Sequence, residues 1–208
     1  MYRNLIKRII DVIISFLGII VLSPVLIVLS IVIKATSPGP VLFKQERVGK
    51  NNKSFKIYKF RSMRTDTPKD VPTHMLENPE QYITKVGKFM RKTSLDELPQ
   101  LFNIFKGEMS VIGPRPSLPN QYDLNELRDK NGSSSIKPGL TGLAQISGRD
   151  ELEIEVKANL DGEYANRMSF LLDCKCFIGT ITSVLKSDGV VEGGTGELHK
   201  EETLWKEY

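Results

Sequence analysis

Thiols and imidazoles are scarce in this chain. Its 208 residues include two cysteines, Cys174 and Cys176, and two histidines, His74 and His199. The cysteines stand two positions apart, a poor spacing for an intramolecular disulfide, which points to a reducing compartment. So few sulfur and imidazole ligands also argue against a zinc-type Cys/His cluster. Internal repeats are absent. Acidic residues number 25 against 29 basic ones, for a net charge of +4. That balance favours anionic partners such as nucleic acid, acidic lipid or a phosphorylated substrate, without choosing among them. The length buries one good core and falls short of two full domains, so one domain plus an appendage is expected.

Charge is missing altogether from Val12 to Ile33, "VIISFLGIIVLSPVLIVLSIVI", 22 residues in all. As a helix this run is roughly 33 Å long, enough to cross a bilayer. It is longer than the apolar region of about 7–15 residues in a cleaved signal peptide, and it leads into "KATSPGPVLFKQERVG", so it reads as retained. Cations lie on both sides: Arg3, Lys7 and Arg8 before it, and Lys34, Lys44, Arg47 and Lys50 after it. Both flanks therefore favour the cytoplasm. Ser23 and Pro24 sit at the centre of the run. Proline removes a backbone hydrogen bond and kinks a helix, and the Ser23 hydroxyl can serve the carbonyl left over. A spanning helix with a tolerated proline is the alternative. The charge pattern favours a re-entrant helix-break-helix over residues 1–36 that enters the membrane and returns to the same face.

Beyond the "SPGP" breaker, "VLFKQERV" and "FKIYKFRSM" flank the turn-prone "GKNNKS" and read as a β-hairpin. Its cations, Lys44, Arg47, Lys53, Lys56, Lys59, Arg61 and Arg64, form a juxtamembrane patch suited to anionic headgroups. "RTDTPKDVPTHMLENPEQ", with His74, reads as a surface loop. "PEQYITKVGKFMRKT" has helical spacing at Tyr82, Val86 and Phe89 or Met90. Two further helices are expected around 95–106 and 151–186, with a Gly/Pro-rich segment between them. From residue 189 the chain reads as a flexible polar tail.

The segment "SLDELPQLFNIFKGEMSVIGPRP" has two accounts. In one, Ser94 and Glu97 form a capping box, which leaves Pro99 at the fifth helical position. In the other, the helix starts at Asp96 and the proline falls harmlessly in the first turn. Either way Asp96 and Glu97 stand at a helix N-terminus, where partial positive charge favours carboxylate and attracts phosphate. Capping is the common role of such residues; catalysis is the other. Pro114 and Pro116 restrict the backbone around Arg115, whose planar fork matches phosphate oxygens. "KPGLTGLAQISGR" gathers Gly139, Gly142 and Gly148 with Lys137 and Arg149, so that backbone can approach a ligand beside two cations. Adjacent carboxylates can also hold Mg²⁺ together with substrate phosphates.

In this order, "KRIIDVIISFLGIIVLSP", "FKIYKFRSM", "SLDELPQLFNIFKGEMSVIGPRP" and "PGLTGLAQISGR" make the chain resemble the monotopic phosphoglycosyl transferases, from about Tyr2 to Gly189. The resemblance implies an α+β fold: a re-entrant N-terminal membrane helix broken at Ser23-Pro24, and a compact, mostly helical cytoplasmic domain carrying a small β-hairpin. It divides the chain into residues 1–36, a catalytic domain over 37–188 and a tail over 189–208. It implies transfer of a sugar 1-phosphate from a UDP-sugar to polyprenol phosphate, with Mg²⁺, on the cytoplasmic leaflet of a bacterial inner membrane. Asp96 resembles the nucleophile of a covalent phosphosugar intermediate. Glu97 resembles its partner in binding Mg²⁺ or moving a proton. Arg115, Arg149, Lys59 and Arg91 are the candidate phosphate- and substrate-binding residues. Asp161, Tyr164, Ser169 and Asp173 fit the family's later helical pattern. A homodimer is compatible with it, and nucleic acid is not an expected partner. The competing classes are a membrane-anchored nucleic-acid binder, which leaves "SLDELPQ" and "GPRP" unexplained, and a non-catalytic scaffold, which needs neither Asp96 nor Mg²⁺.

Overall fold

The computed structural model describes residues 1–67, 79–148 and 152–186. A π-helical turn, Tyr2–Ile6, leads into helix α1, Lys7–Thr36. This helix continues through Pro24, where the sequence places a break. Pro24 has no N–H for the Ile20 carbonyl, and the Ser23 hydroxyl supplies the missing donor at 2.7 Å. The backbone accounting expected at that pair is thus met inside a single helix.

Strands β1, Leu42–Val48, and β2, Ser54–Phe60, pair antiparallel from Leu42↔Phe60 to Val48↔Ser54, which is the expected hairpin. Asn51 and Asn52 take left-handed backbone in its turn (φ 53° and 58°), a conformation asparagine tolerates well. Helix α2, Lys85–Lys92, is capped by the Thr84 hydroxyl, which accepts the Gly87 N–H at 2.9 Å. The capping box at Ser94 does not form. Ser94 is left-handed (φ 55°) and its side chain caps nothing. A 3-10 turn, Leu95–Glu97, is followed by α3, Gln100–Lys106, with Pro99 at the N-cap, where its lack of an N–H costs little.

After α3 come elements that the residue pattern did not announce. Strands β3, Ser110–Ile112, and β4, Gly139–Thr141, form a short parallel pair, with α4, Tyr122–Lys130, between them in sequence. Helix α5, Leu143–Ile146, follows. The single helix expected over 151–186 is two, α6, Ile154–Arg167, and α7, Phe170–Lys186, separated where Met168 leaves helical backbone (ψ 117°).

One stripe of α1 faces the rest of the protein. Lys7, Asp11, Ser15, Leu29 and Ile33 are buried at helical spacing, and Ile19, Leu22 and Leu26 extend the stripe between them. Ile19 and Leu22 pack on the main core of Ile57, Leu101, Ile104, Met109 and Tyr164, which also takes in Cys176. Leu29 and Ile33 form a second cluster with Phe60 and Met90. The opposite side of α1, including Ile13, Leu17, Val21, Val28 and Ile31, is apolar and exposed.

Both ends of α1 are tied to the same body. Near its start Lys7 pairs with Asp173 at 2.6 Å, and the Tyr2 and Tyr164 hydroxyls donate to that carboxylate. Asp11 accepts from the Ser110 hydroxyl and the Val111 N–H at 3.0 and 2.9 Å, holding β3. Arg8 donates to the Ile104 and Phe105 carbonyls at the end of α3, the polarity that a helix C-terminus favours. At the far end Arg61 donates to the Ser37 and Pro38 carbonyls at 2.7 and 2.6 Å.

Candidate active site

The site forms where the 3-10 turn and α3 lie against β2. Asn103 fixes that contact: its amide donates to the Lys56 carbonyl at 2.8 Å and its oxygen accepts the Tyr58 N–H at 3.0 Å. Sequence reasoning passed over Asn103. The only signal was its helical spacing from Asp96 and Gln100, which puts all three toward one face.

With β2 so held, Lys59 reaches Glu97. The Glu97 Oε1 accepts from Lys59 Nζ at 2.8 Å and from Arg115 at 3.0 Å. Arg115 arrives from the loop after β3, whose position depends on three glycines. A Cβ at Gly139 would stand 2.1 Å from the Gly113 nitrogen, and one at Gly142 would stand 2.2 Å from the Gly113 oxygen. Two of the three glycines expected to admit a ligand, Gly139 and Gly142, thus admit the chain's own backbone, and their effect on the site is to let the loop bearing Arg115 close against β4.

The two carboxylates have opposite surroundings. Asp96 is 9% exposed, and neither of its oxygens nor Glu97 Oε2 accepts a hydrogen bond from any described residue. Burial pushes the Asp96 carboxyl up to about 6, and the Glu97 charge adds to the effect; Lys59, Arg91 and Arg115 oppose it. Burial alone would also raise Glu97, but Arg115 and Lys59 outweigh it and hold that carboxyl well below its ordinary range. Glu97 is therefore a fixed anion, and Asp96 a group with no hydrogen-bond donor among the described residues whose carboxyl is raised to about 6.

Of the six residues singled out from sequence, the structure brings together Asp96, Glu97, Lys59 and Arg115. The Arg91 side chain, in the last turn of α2, makes no hydrogen bond to a described residue, but its charge still favours an ionised Asp96. Arg149 lies outside the described residues, as do His74 and the tail. Asp161 and Asp173 have structural partners, Arg128 at 2.6 Å and Lys7. Gln100, one turn beyond Asp96, is 2% exposed and its Nε2 meets no acceptor among the described residues.

The donor set fits Mg²⁺. Three carboxylate oxygens without hydrogen-bond partners among the described residues, from two adjacent residues, match an ion that typically takes one or two protein carboxylates and completes its shell with phosphate and water. Among the described residues no group of three or more acidic, histidine or cysteine side chains is placed to hold a metal without such help.

Comparison with known proteins gives the chain a family and relatives. A family model described as bacterial sugar transferase matches residues 2–187. The chain is 42% identical over 182 residues to a UDP-glucose:undecaprenyl-phosphate glucose-1-phosphate transferase of Klebsiella pneumoniae, covering 84% of this chain and 39% of that protein. It is 40% identical over 201 residues to the galactosyl transferase CpsE of Streptococcus agalactiae serotype III (strain NEM316), covering 90% and 44%. With the exopolysaccharide production protein PSS of Rhizobium leguminosarum bv. phaseoli it shares 39% over 189 residues, covering 86% and 94%. The chain thus spans about two fifths of the first two relatives and nearly the whole of the third.

Proposed function

Because this chain belongs to the bacterial sugar transferase family, we propose that it transfers a sugar 1-phosphate from a UDP-sugar to polyprenol phosphate through a covalent intermediate on Asp96. The observation that carries this reading is the pairing of a buried carboxylate without hydrogen-bond partners with a neighbour locked between two cations. A capping or purely structural pair would have its oxygens satisfied by backbone N–H groups.

In the first step an Asp96 oxygen attacks the donor's β-phosphorus. The bond from that phosphorus to the bridging oxygen breaks, and its electron pair leaves with uridine monophosphate. In the second, a phosphate oxygen of the polyprenol carrier attacks the same phosphorus and returns the carboxylate to Asp96. Splitting one transfer into two in this way is the logic of covalent catalysis. The nucleophile and the pyrophosphate are both anionic, so the step needs positive charge close by. Lys59 supplies it from β2, and Arg115, whose side chain is 42% exposed, is within reach of a phosphate arriving from solvent. Glu97 holds these two cations in place. When bound at the Asp96 and Glu97 oxygens, Mg²⁺ would neutralise pyrophosphate charge and favour departure of the leaving group.

The membrane part of the reading is a monotopic placement on the cytoplasmic face. It is supported by the exposed apolar side of α1 and by the ties that hold both its ends, through Lys7 and Arg61, to one folded body. The phosphorylated carrier would then meet the site at the bilayer surface.

Enzyme incubated with UDP-sugars and Mg²⁺ but no acceptor is expected to release uridine monophosphate and to gain the mass of a sugar phosphate on the peptide holding Asp96. Asp96→Asn should fold and gain nothing. An adduct mapped elsewhere, or turnover by Asp96→Asn, would overturn the mechanism.

A further inference from the structure

Gln100 is the first residue of α3 and lies four positions after Asp96 in a helical stretch interrupted only at Leu98 and Pro99, both with helical backbone. Residues at this spacing share a face, and helical side chains lean back over the preceding turn, here the turn of Asp96 and Glu97. The same face is turned to β2, since Glu97, three residues before, and Asn103, three residues after, both bond to it. Gln100 is nonetheless buried with its Nε2 donor sealed and unaccepted, and the Asp96 carboxylate, which is not sealed in the same way, has no donor among the described residues. Buried amides without partners are uncommon because desolvating them is unfavourable. Among the described residues, a donor without an acceptor and an acceptor without a donor thus stand about one helical turn apart.

We propose that Gln100 is a positioning residue for the transfer: its Nε2–H donates to the Asp96 oxygen that does not attack, fixing which oxygen faces the β-phosphorus. The inference rests on Asp96 as the nucleophile. Once the Asp96–phosphorus bond has formed and the bond to the leaving nucleotide has broken, the held oxygen becomes the carbonyl oxygen of the acyl phosphate. It still accepts the hydrogen bond. When the carrier phosphate attacks, the electron pair of the breaking bond returns to a carboxylate that the same donor stabilises. The sealed Nε2 has no access to substrate, so the amide acts on the reaction only through Asp96.

Gln100→Met keeps the volume and removes the unsatisfied donor. Its Tm in the resting enzyme should equal or exceed that of the wild type. Formation of the Asp96 adduct from donor and Mg²⁺ should slow about 10- to 100-fold, the scale of a hydrogen bond to a charged group. The KM for donor should stay within about twofold, because the amide does not touch the donor. Isotope-edited infrared spectra of the adduct should show the acyl-phosphate carbonyl at lower frequency in wild type than in Gln100→Met, a shift that a purely structural role would not produce. An unchanged rate with an unchanged carbonyl band would overturn the proposal while leaving Asp96 as nucleophile. Failure of the wild type itself to form the Asp96 adduct would overturn both. If Gln100→Met does not fold, the wild-type band decides, since a carbonyl at the unbonded position of an acyl phosphate in apolar solvent sinks the inference.

Discussion

Burial holds the Asp96 proton on until about pH 6 in the folded protein, whereas the unfolded chain loses it near the ordinary value of 3.8. Between those values the folded state binds more protons, so stability falls as pH rises through this window and the deficit persists above it. Asp96→Asn abolishes the effect. In EDTA at pH 7 the variant is expected to be more stable than wild type by on the order of 2 kcal/mol in chemical denaturation, with the gap closing below about pH 4. Turnover has the opposite dependence. On the proposed mechanism attack requires carboxylate, so the rate should rise through about pH 6. Glu97→Gln removes the anion that Lys59 and Arg115 share at Oε1 and should destabilise by about 3 kcal/mol while slowing transfer. Arg115→Lys keeps the charge but loses the paired donors of the guanidinium. Folding should survive and most activity should be lost; near-normal turnover would reduce Arg115 to a surface cation.

Helix α2 and the β3–β4 pair depend on backbone approaching backbone. A Cβ at Gly87 would stand 1.9 Å from the Ser62 carbonyl oxygen, so Gly87→Ala should lower Tm by displacing α2. Gly139→Ala should push the Gly113 loop away and reduce activity more than stability, because Arg115 is carried on that loop. A kinetic assay beside a thermal melt separates the two outcomes. The hairpin was legible in the sequence because apolar alternation and an asparagine turn both specify it locally. The freed carbonyl at Ser23-Pro24 was legible for the same reason, since its partner is the adjacent side chain. Strands β3 and β4 were not, since three residues carry no period and their pairing spans the whole of α4. Ser94 had the residue type of a cap, but its left-handed backbone follows from the way α2 ends. At the site, residue type suggested Asp96, Glu97 and Arg115, and the family resemblance added Lys59. That both cations would converge on one oxygen of Glu97, leaving Asp96 unengaged, is a product of tertiary packing that no spacing contains.

At the scale of the molecule, the ties at Lys7 and Arg61 lead to a topological expectation. With Cys174 and Cys176 replaced, Tyr2→Cys and Ser54→Cys should each resist an impermeant thiol reagent in intact cells. Labelling of either from outside would refute a same-face placement of α1. Exposed Phe102 and Phe105 on α3, with Phe105 stacked on Phe16, continue the apolar side of α1.

Because α1 supplies Ile19 and Leu22 to one core cluster and Leu29 and Ile33 to the other, the catalytic fold is incomplete without it. In synthesis α1 precedes the site, and Asp96 follows about 60 residues behind the helix's end, several seconds later at ribosomal speed. Insertion is therefore decided before a site exists to be built. A copy whose N-terminus goes to the wrong side of the bilayer removes that stripe from its own core and loses the packing that sets β2, α3 and the β3 loop around Asp96. On the proposed reading a misinserted copy would be inactive through its own packing and would commit no sugar phosphate to carrier.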